Sequence, residues 1–364
     1  MKACYIHIPF CDKKCYYCDF VTFEKKDGKE KYFEYLKKEL SLYPSFKFKS
    51  LYFGGGTPSV VDPKLINEII GLIDIEDGGE ITLEFNPERS YFANLKKYIK
   101  MGVNRLSIGC QTFDDQLLKK IGRLHTGEEA KEAFLLARKE GFKNINLDLI
   151  FALPNQTMEM LQKDLEIIID LSPEHISIYS LIWKERAKFF EMRKKGLVKE
   201  IGEDLEADMY QYVFDFFKKS GYEHYEISSF SKKGFESKHN MTYWRNEEYI
   251  GLGLGAAGYI DDLRYTNVKS FAAYYKSLEE NRLPLLEEDK VNEERKFEYF
   301  LILGLRLLKE GVSLPSIPQH LKDKFIPKLE LLGKEGLILN ENGTLRLTRR
   351  GLFLSNEVFA EIID

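Results

Sequence analysis

From Met1 to about Ser180 the chain repeats one unit six times, a short strand-like run followed by a charge-rich helical stretch, and this repeat constrains the fold more than any other feature. Strands are expected at Ala3 to Ile8, Ser50 to Phe53, Glu80 to Phe85, Asn104 to Gly109, Asn144 to Phe151 and His175 to Ser180. Helices fit between them, around Glu30 to Leu42, Pro63 to Ile73, Tyr91 to Met101, Gly127 to Glu140 and Met158 to Leu171. Two helix starts are signalled by their chemistry. Asp62 before Pro63 is an N-cap followed by proline at the first helical position, and Thr126 with Glu129 forms a capping box. The fold class is α/β.

Several of these strands alternate polar with apolar residues. Period two puts Tyr5, His7, Glu84, Arg105, Ser107, Gln111, Asn146, Asp148, Ser177 and Tyr179 on one face. A closed eight-stranded barrel fills its lumen with branched apolar side chains, which these strands lack. Six units with a polar inner face predict a partial (β/α)6 barrel that holds a polar ligand near the C-terminal strand ends.

Three of the five cysteines, Cys11, Cys15 and Cys18, follow the first strand with C-x3-C-x2-C spacing, in a loop short enough to fold three thiolates around one centre. A closed zinc site wants four donors, and a cubane iron–sulfur cluster wants one cysteine per iron. Zinc would need His7 or a distant residue, and zinc motifs usually bring two separated ligand pairs, which this sequence lacks. In a four-iron cluster the fourth iron is left open to a small ligand. Gly54-Gly55-Gly56-Thr57-Pro58 comes directly after the second strand; it permits unusual backbone angles and close approach, and it lacks the Gly-Lys-Ser/Thr ending of a phosphate loop.

The cysteine spacing is that of the radical S-adenosylmethionine (radical SAM) family. Tyr-Ile-His-Ile-Pro-Phe-Cys, Tyr-Phe-Gly-Gly-Gly-Thr-Pro-Ser, Leu-Glu-Phe-Asn-Pro, Gly-Val-Asn-Arg-Leu-Ser-Ile-Gly-Cys-Gln and Asp-Leu-Ile-Phe-Ala-Leu-Pro resemble the oxygen-independent coproporphyrinogen III oxidases and their HemW haem-chaperone relatives. That resemblance implies a 4Fe-4S cluster on Cys11, Cys15 and Cys18. It also implies S-adenosylmethionine on the open iron, where one electron passed to the sulfonium releases a 5′-deoxyadenosyl radical. Carried over position by position, it makes Tyr5, Tyr17, Gly55, Gly56, Thr57, Glu84, Gln111, Arg123 and Asp148 contacts to that cofactor. Glu84 and Asp148 would accept from ribose hydroxyls, and Arg123 would pair with a carboxylate.

Two departures separate the chain from the oxidase branch. The oxidase motif continues to a further cysteine where this chain has Phe20, and the oxidase carries an arm ahead of the cluster where only ten residues precede Cys11. Both match the chaperone branch, as does His239-Asn240-Met241-Thr242-Tyr243-Trp244. The resemblance then implies haem as a ligand, with His239 a candidate for its iron, and client haemoproteins such as respiratory enzymes, membrane-associated ones among them. The rival activity is the oxidase reaction, decarboxylation of two propionates to vinyls; radical methylation or ring opening of a tetrapyrrole is a third.

Beyond Ser180 the rhythm stops. Residues 1–180 are read as the partial barrel, 181–289 as an extension that completes it, and 290–364 as a small winged-helix-like domain whose hairpin turns at Asn342-Gly343. The last segment holds 12 Lys plus Arg against 11 Asp plus Glu, and the whole chain carries net charge −4, so nucleic acid is not expected as a partner. No apolar run approaches the length of a membrane span, the N-terminus lacks a secretion signal, and five cysteines make no disulfide framework, so the cytoplasm is expected. Gly253-Leu-Gly255-Ala-Ala-Gly258 spells a dinucleotide fingerprint without its βαβ setting, and is read as close packing. Cys4 and Cys110, isolated in strands, read as small buried apolar residues.

Overall fold

A computed structural model describes residues 2–24, 27–314 and 317–363. The six expected strands are present: β1 (Lys2–Ile8), β2 (Lys47–Gly55), β3 (Asp74–Phe85), β4 (Arg105–Gln111), β5 (Ile145–Phe151) and β6 (His175–Ser180). They pair in parallel and in chain order, with Tyr5 level with Tyr52, Tyr52 with Thr82, and Thr82 with Arg105. The helices α1 (Lys29–Ser41), α2 (Pro63–Ile70), α3 (Leu95–Lys100), α4 (Asp115–Ile121), α5 (Gly127–Glu140) and α6 (Met158–Leu171) cover the outer face. The outward set from these strands, including Ile6, Phe53, Leu83, Ile108, Leu147 and Ile176, packs with α1, α2, α3, α5 and α6 into one large apolar core, while Leu117, Leu118 and Ile121 of α4 join a separate cluster with Leu153, Leu181 and Phe189.

Local chemistry sets the helix ends. The Asp62 carboxylate accepts from the Lys64 N–H, and both halves of the Thr126–Glu129 capping box form. Helix α2 stops at Ile70, short of the expected Ile73, because Gly71 follows it. The helix expected from Tyr91 begins as a 3-10 turn over Arg89–Asn94. Helix α4 lies outside the sequence expectation; Asp114 caps it by accepting from the N–H groups of Gln116 and Leu117.

The extension lengthens the same sheet at both ends. After α7 (Lys188–Lys194) and α8 (Glu203–Lys219), strands β7 (Glu223–Glu226) and β8 (Ser229–Ser231) add beyond β6. Helix α9 (Lys238–Trp244) carries the His-Asn-Met-Thr-Tyr-Trp segment. Strands β9 (Tyr249–Leu252), β10 (Ala257–Ile260), β11 (Leu263–Asn267) and, after α10 (Phe271–Glu279), β12 (Leu285–Lys290) add beyond β1. The result is a twelve-stranded sheet curled into an open barrel. The glycine-rich run at 253–258 packs closely, as read: a β-carbon on Gly253 would lie 2.3 Å from Tyr32 Oη and 2.7 Å from the His7 carbonyl.

A second apolar cluster forms from α11 (Glu293–Gly304), α12 (Lys322–Lys334), the hairpin β14 (Ile338–Glu341) to β15 (Thr344–Leu347), the short strand β13 (Val312–Ser313) and the helices after Thr348. Asn342 and Gly343 both have positive φ, 53° and 82°, the geometry of a two-residue hairpin turn. This unit closes on α9, where the Arg306 guanidinium lies 4.3 Å from the Trp244 ring centroid and Arg245 pairs with Glu310. No helix among the described residues is long and apolar enough to cross a membrane.

Candidate cluster and cofactor site

The cysteine loop is closed on itself and clamped from two sides. Phe23 N–H donates to the Pro9 carbonyl at 2.7 Å and Cys11 N–H to the Phe23 carbonyl at 3.1 Å, making the stretch a ring. Tyr16 N–H donates to the Ile121 carbonyl at the end of α4, and Phe189 N–H from α7 to the Tyr16 carbonyl. The three thiols are therefore held over the C-terminal ends of β1 to β6, half-buried, with Thr57 Oγ1 3.5 Å from Cys11 Sγ. Burial pushes the Cys11 thiol up to about 12 and raises Cys18 as well, a cost that a bound metal centre offsets. Among the described residues no three His, Cys, Asp or Glu side chains converge as ligands of a single metal ion. Three thiols grouped on one loop are the donor set a cubane needs, one cysteine to each of three irons.

The glycine turn faces the same cleft. Gly56 N–H donates to the Ile8 carbonyl and Thr57 N–H to the Phe10 carbonyl, both at 2.8 Å. Side chains are excluded there: a β-carbon on Gly55, whose φ is +107°, would lie 2.4 Å from the His7 ring, and one on Gly56 would lie 2.7 Å from two backbone carbonyls. From β3, Glu84 accepts from Tyr52 Oη at 2.9 Å and from Gly55 N–H at 3.1 Å. Burial, then the Asp148 charge, pushes its carboxyl up to about 7. Asp148 accepts from Asn146 and Ser107, yet burial still holds its carboxyl above the usual carboxylate range.

Arg123, just past α4, joins loop and sheet. It donates to Cys15 Sγ at 3.6 Å, Asn86 Oδ1 at 2.9 Å and the Gly109 carbonyl at 2.8 Å. Gln111 ends β4 with φ +67°, a conformation that costs a non-glycine residue energy and turns its side chain into the cleft. The buried Oε1 of Gln111 and Nε of Arg123 have no hydrogen-bond partner among the described residues. Three free thiols beside a glycine cradle and two orphaned polar atoms fit a cluster with a polar, amino-acid-bearing nucleoside.

Tyr17, Gly55, Gly56, Thr57, Glu84, Gln111, Arg123 and Asp148 come together with the three cysteines around this cleft of about 320 Å³. Tyr5 does not line it. Its ring faces a second cavity of about 660 Å³, with His7, Tyr52, His239, Tyr243, Trp244 and Tyr249. Asp19, Phe20, Gly55 and Glu84 line both spaces and join them. His239 is buried, with Nδ1 2.9 Å from Ser50 Oγ and Nε2 2.7 Å from Tyr243 Oη. Burial, then Arg105, pushes its imidazole down to about 3, so it is neutral. Asn86 and Tyr52 were missed from the sequence; Asn86 stands two residues after Glu84, where a barrel strand ends, and that position was the available signal.

Residues 5–168 match the model of the radical SAM superfamily. Over its full length the chain is 39% identical to the heme chaperone HemW of Lactococcus lactis, covering 97% of that protein, and 37% identical to HemW of Bacillus subtilis, covering 99%. It is 31% identical over 99% of its length to a mitochondrial radical S-adenosyl methionine domain-containing protein 1 of Danio rerio, covering 86% of that chain. The solved structure of coproporphyrinogen III oxidase (HemN) from Escherichia coli superimposes with a TM-score of 0.86 at 24% identity, over 99% of this chain and 90% of that one, and so shares the fold. The superfamily implies a 4Fe-4S cluster and S-adenosylmethionine. By sequence over its whole length, the chain belongs to the HemW family of radical SAM proteins.

Proposed function

We propose that this protein is a cytoplasmic haem chaperone, which binds haem and delivers it to client haemoproteins such as respiratory enzymes, membrane-associated ones included. The observation that carries the reading is the second cavity, walled by Tyr5, Tyr52, Tyr243, Trp244 and Tyr249 and open to the cluster cleft past Phe20. Aromatic walls suit the face of a porphyrin, and the name of the Lactococcus and Bacillus relatives, heme chaperone, agrees.

In this reading Cys11, Cys15 and Cys18 hold the cluster, and Tyr17, Gly55, Gly56, Thr57, Glu84, Gln111, Arg123 and Asp148 hold S-adenosylmethionine. When bound, the cluster supplies one-electron reduction of the sulfonium. The chain's part is to bind and orient: Arg123 spans Cys15 and Gly109, and the Glu84 and Asp148 carboxyl groups face the cleft as acceptors. His239 is the candidate iron ligand, and the iron would displace Tyr243 from Nε2 to take it.

The test is an anaerobic haem titration of the reconstituted protein, followed in the Soret band. A saturable shift, altered in His239→Ala, is the expected result; no shift in the wild type ends the haem reading. Conversion of coproporphyrinogen III to vinyl product by the same preparation would replace the chaperone reading with the oxidase one.

A further inference from the structure

The rim of the second cavity carries two cations without a partner among the described residues. Arg186 and Lys269 are exposed and line the cavity, and neither has an ion-pair or side-chain hydrogen-bond partner among the described residues. The Lys269 stem lies along the wall, where a β-carbon on Gly255 would be 3.7 Å from its Cγ. The remaining cation of the cavity, Arg264, is committed: it donates to Asn246 and lies 3.9 Å from the Tyr299 ring centroid and 4.3 Å from that of Tyr259. The acids are mostly spoken for as well, Glu247 by Lys49 and Glu84 by Tyr52 and Gly55. Between the two cavities Phe20 is 62% exposed, an apolar ring offered to solvent at the mouth.

An apolar, aromatic cavity with two unpaired cations at its edge is complementary to a flat apolar dianion. Resting on the haem reading above, we infer that Arg186 and Lys269 bind the two carboxylate side chains of the tetrapyrrole while Phe20 covers its ring. The site thereby selects the free diacid over a neutral porphyrin of the same shape. Arg186 offers a planar fork to one carboxylate and Lys269 a point charge to the other. Both pairs lie at the solvent edge, so together they strengthen binding of the diacid by only about tenfold.

The experiment titrates the full-length, reconstituted protein with haem and with haem dimethyl ester in the same detergent buffer, reading the Soret band. Wild type should bind the ester about tenfold more weakly. Arg186→Ala/Lys269→Ala should bind haem as weakly as wild type binds the ester, with its ester affinity, iron and sulfide content unchanged. The exchange Arg186→Lys/Lys269→Arg should keep the preference. Equal wild-type affinities, or a preference that survives in the double alanine variant, would overturn the inference and leave the haem reading standing. Binding of neither compound would remove both.

Discussion

Glu84 accepts the backbone N–H of Gly55 at 3.1 Å, so a carboxylate at the end of β3 fixes the glycine turn that follows β2. The same residues form the partition between the cluster cleft and the second cavity. Two adjoining strands thus supply both the cradle of one ligand space and the wall of its neighbour. Substitutions at this partition report on both spaces at once.

Gly55→Ala is the sharpest of them. At φ +107° any β-carbon is strained, and this one meets the His7 ring at 2.4 Å. His7 cannot swing away without losing Tyr5 Oη at 3.1 Å or the Val21 carbonyl at 2.8 Å. The cost should be on the order of 3 kcal/mol, measured as a fall in unfolding free energy in urea. A cost below about 0.5 kcal/mol, the level of an ordinary surface change, would show that the turn relaxes freely.

Gln111 depends on a prop from behind. Asp164 on α6 accepts from Thr112 Oγ1 at 2.7 Å and Phe113 N–H at 2.8 Å, fastening the chain straight after the left-handed Gln111. Asp164→Ala leaves both donors buried without a partner, so stability should drop by about 1–3 kcal/mol. S-adenosylmethionine affinity, measured by calorimetry on the reconstituted protein, should weaken although Asp164 lies outside the cleft. Unchanged affinity would mean that Gln111 holds its conformation unaided.

The barrel and most of its site were legible because their signals are local. The βα period, the capping box at Thr126 and the polar set on alternate strand residues all depend on near neighbours in sequence, and each has its counterpart in the structure. The extension was harder to read: β7 to β12 are short, and their joining to β6 and β1 spans distances in sequence that no pattern of alternation records. Helix α4 was missed for the same reason, being seven residues long, although it carries the Ile121 carbonyl that clamps the cysteine loop. Tyr5 follows the inward alternation, yet which cavity it faces depends on β9 and α9 packing beside it.

Arg123→Met tests the link between cluster loop and sheet. The guanidinium bridges Cys15 Sγ, Asn86 and Gly109, and methionine fills the space without donating. Iron and sulfide should stay near wild type, since the three cysteines remain. S-adenosylmethionine affinity should fall about tenfold or more for the loss of one charge-assisted contact. Loss of the cluster itself in this variant would show that Arg123 serves the thiolates and not the cofactor.

Stability should depend on pH through Glu39, a carboxylate on α1 buried beneath the extension. It accepts from Gly253 N–H at 2.8 Å, Asn267 Nδ2 at 2.6 Å and Tyr274 Oη at 2.5 Å, and burial outweighs these bonds and pushes its carboxyl up to about 7. A carboxyl raised in the folded state favours folding while protonated. Its contribution is complete below the unfolded value near 4.5, is lost as pH rises, and is gone above about 7. Unfolding free energy of the cofactor-free protein should fall across that window by roughly 3 kcal/mol from this group. Glu39→Gln should be less stable than wild type at pH 5, because an amide cannot accept all three donors, and should show a shallower fall. Some slope must survive in the variant, because Glu84 is also pushed up to about 7 by burial. If the Gln variant and wild type kept parallel profiles from pH 4.5 to 7, Glu39 would be ionised throughout and the buried contacts to Gly253, Asn267 and Tyr274 would outweigh its desolvation.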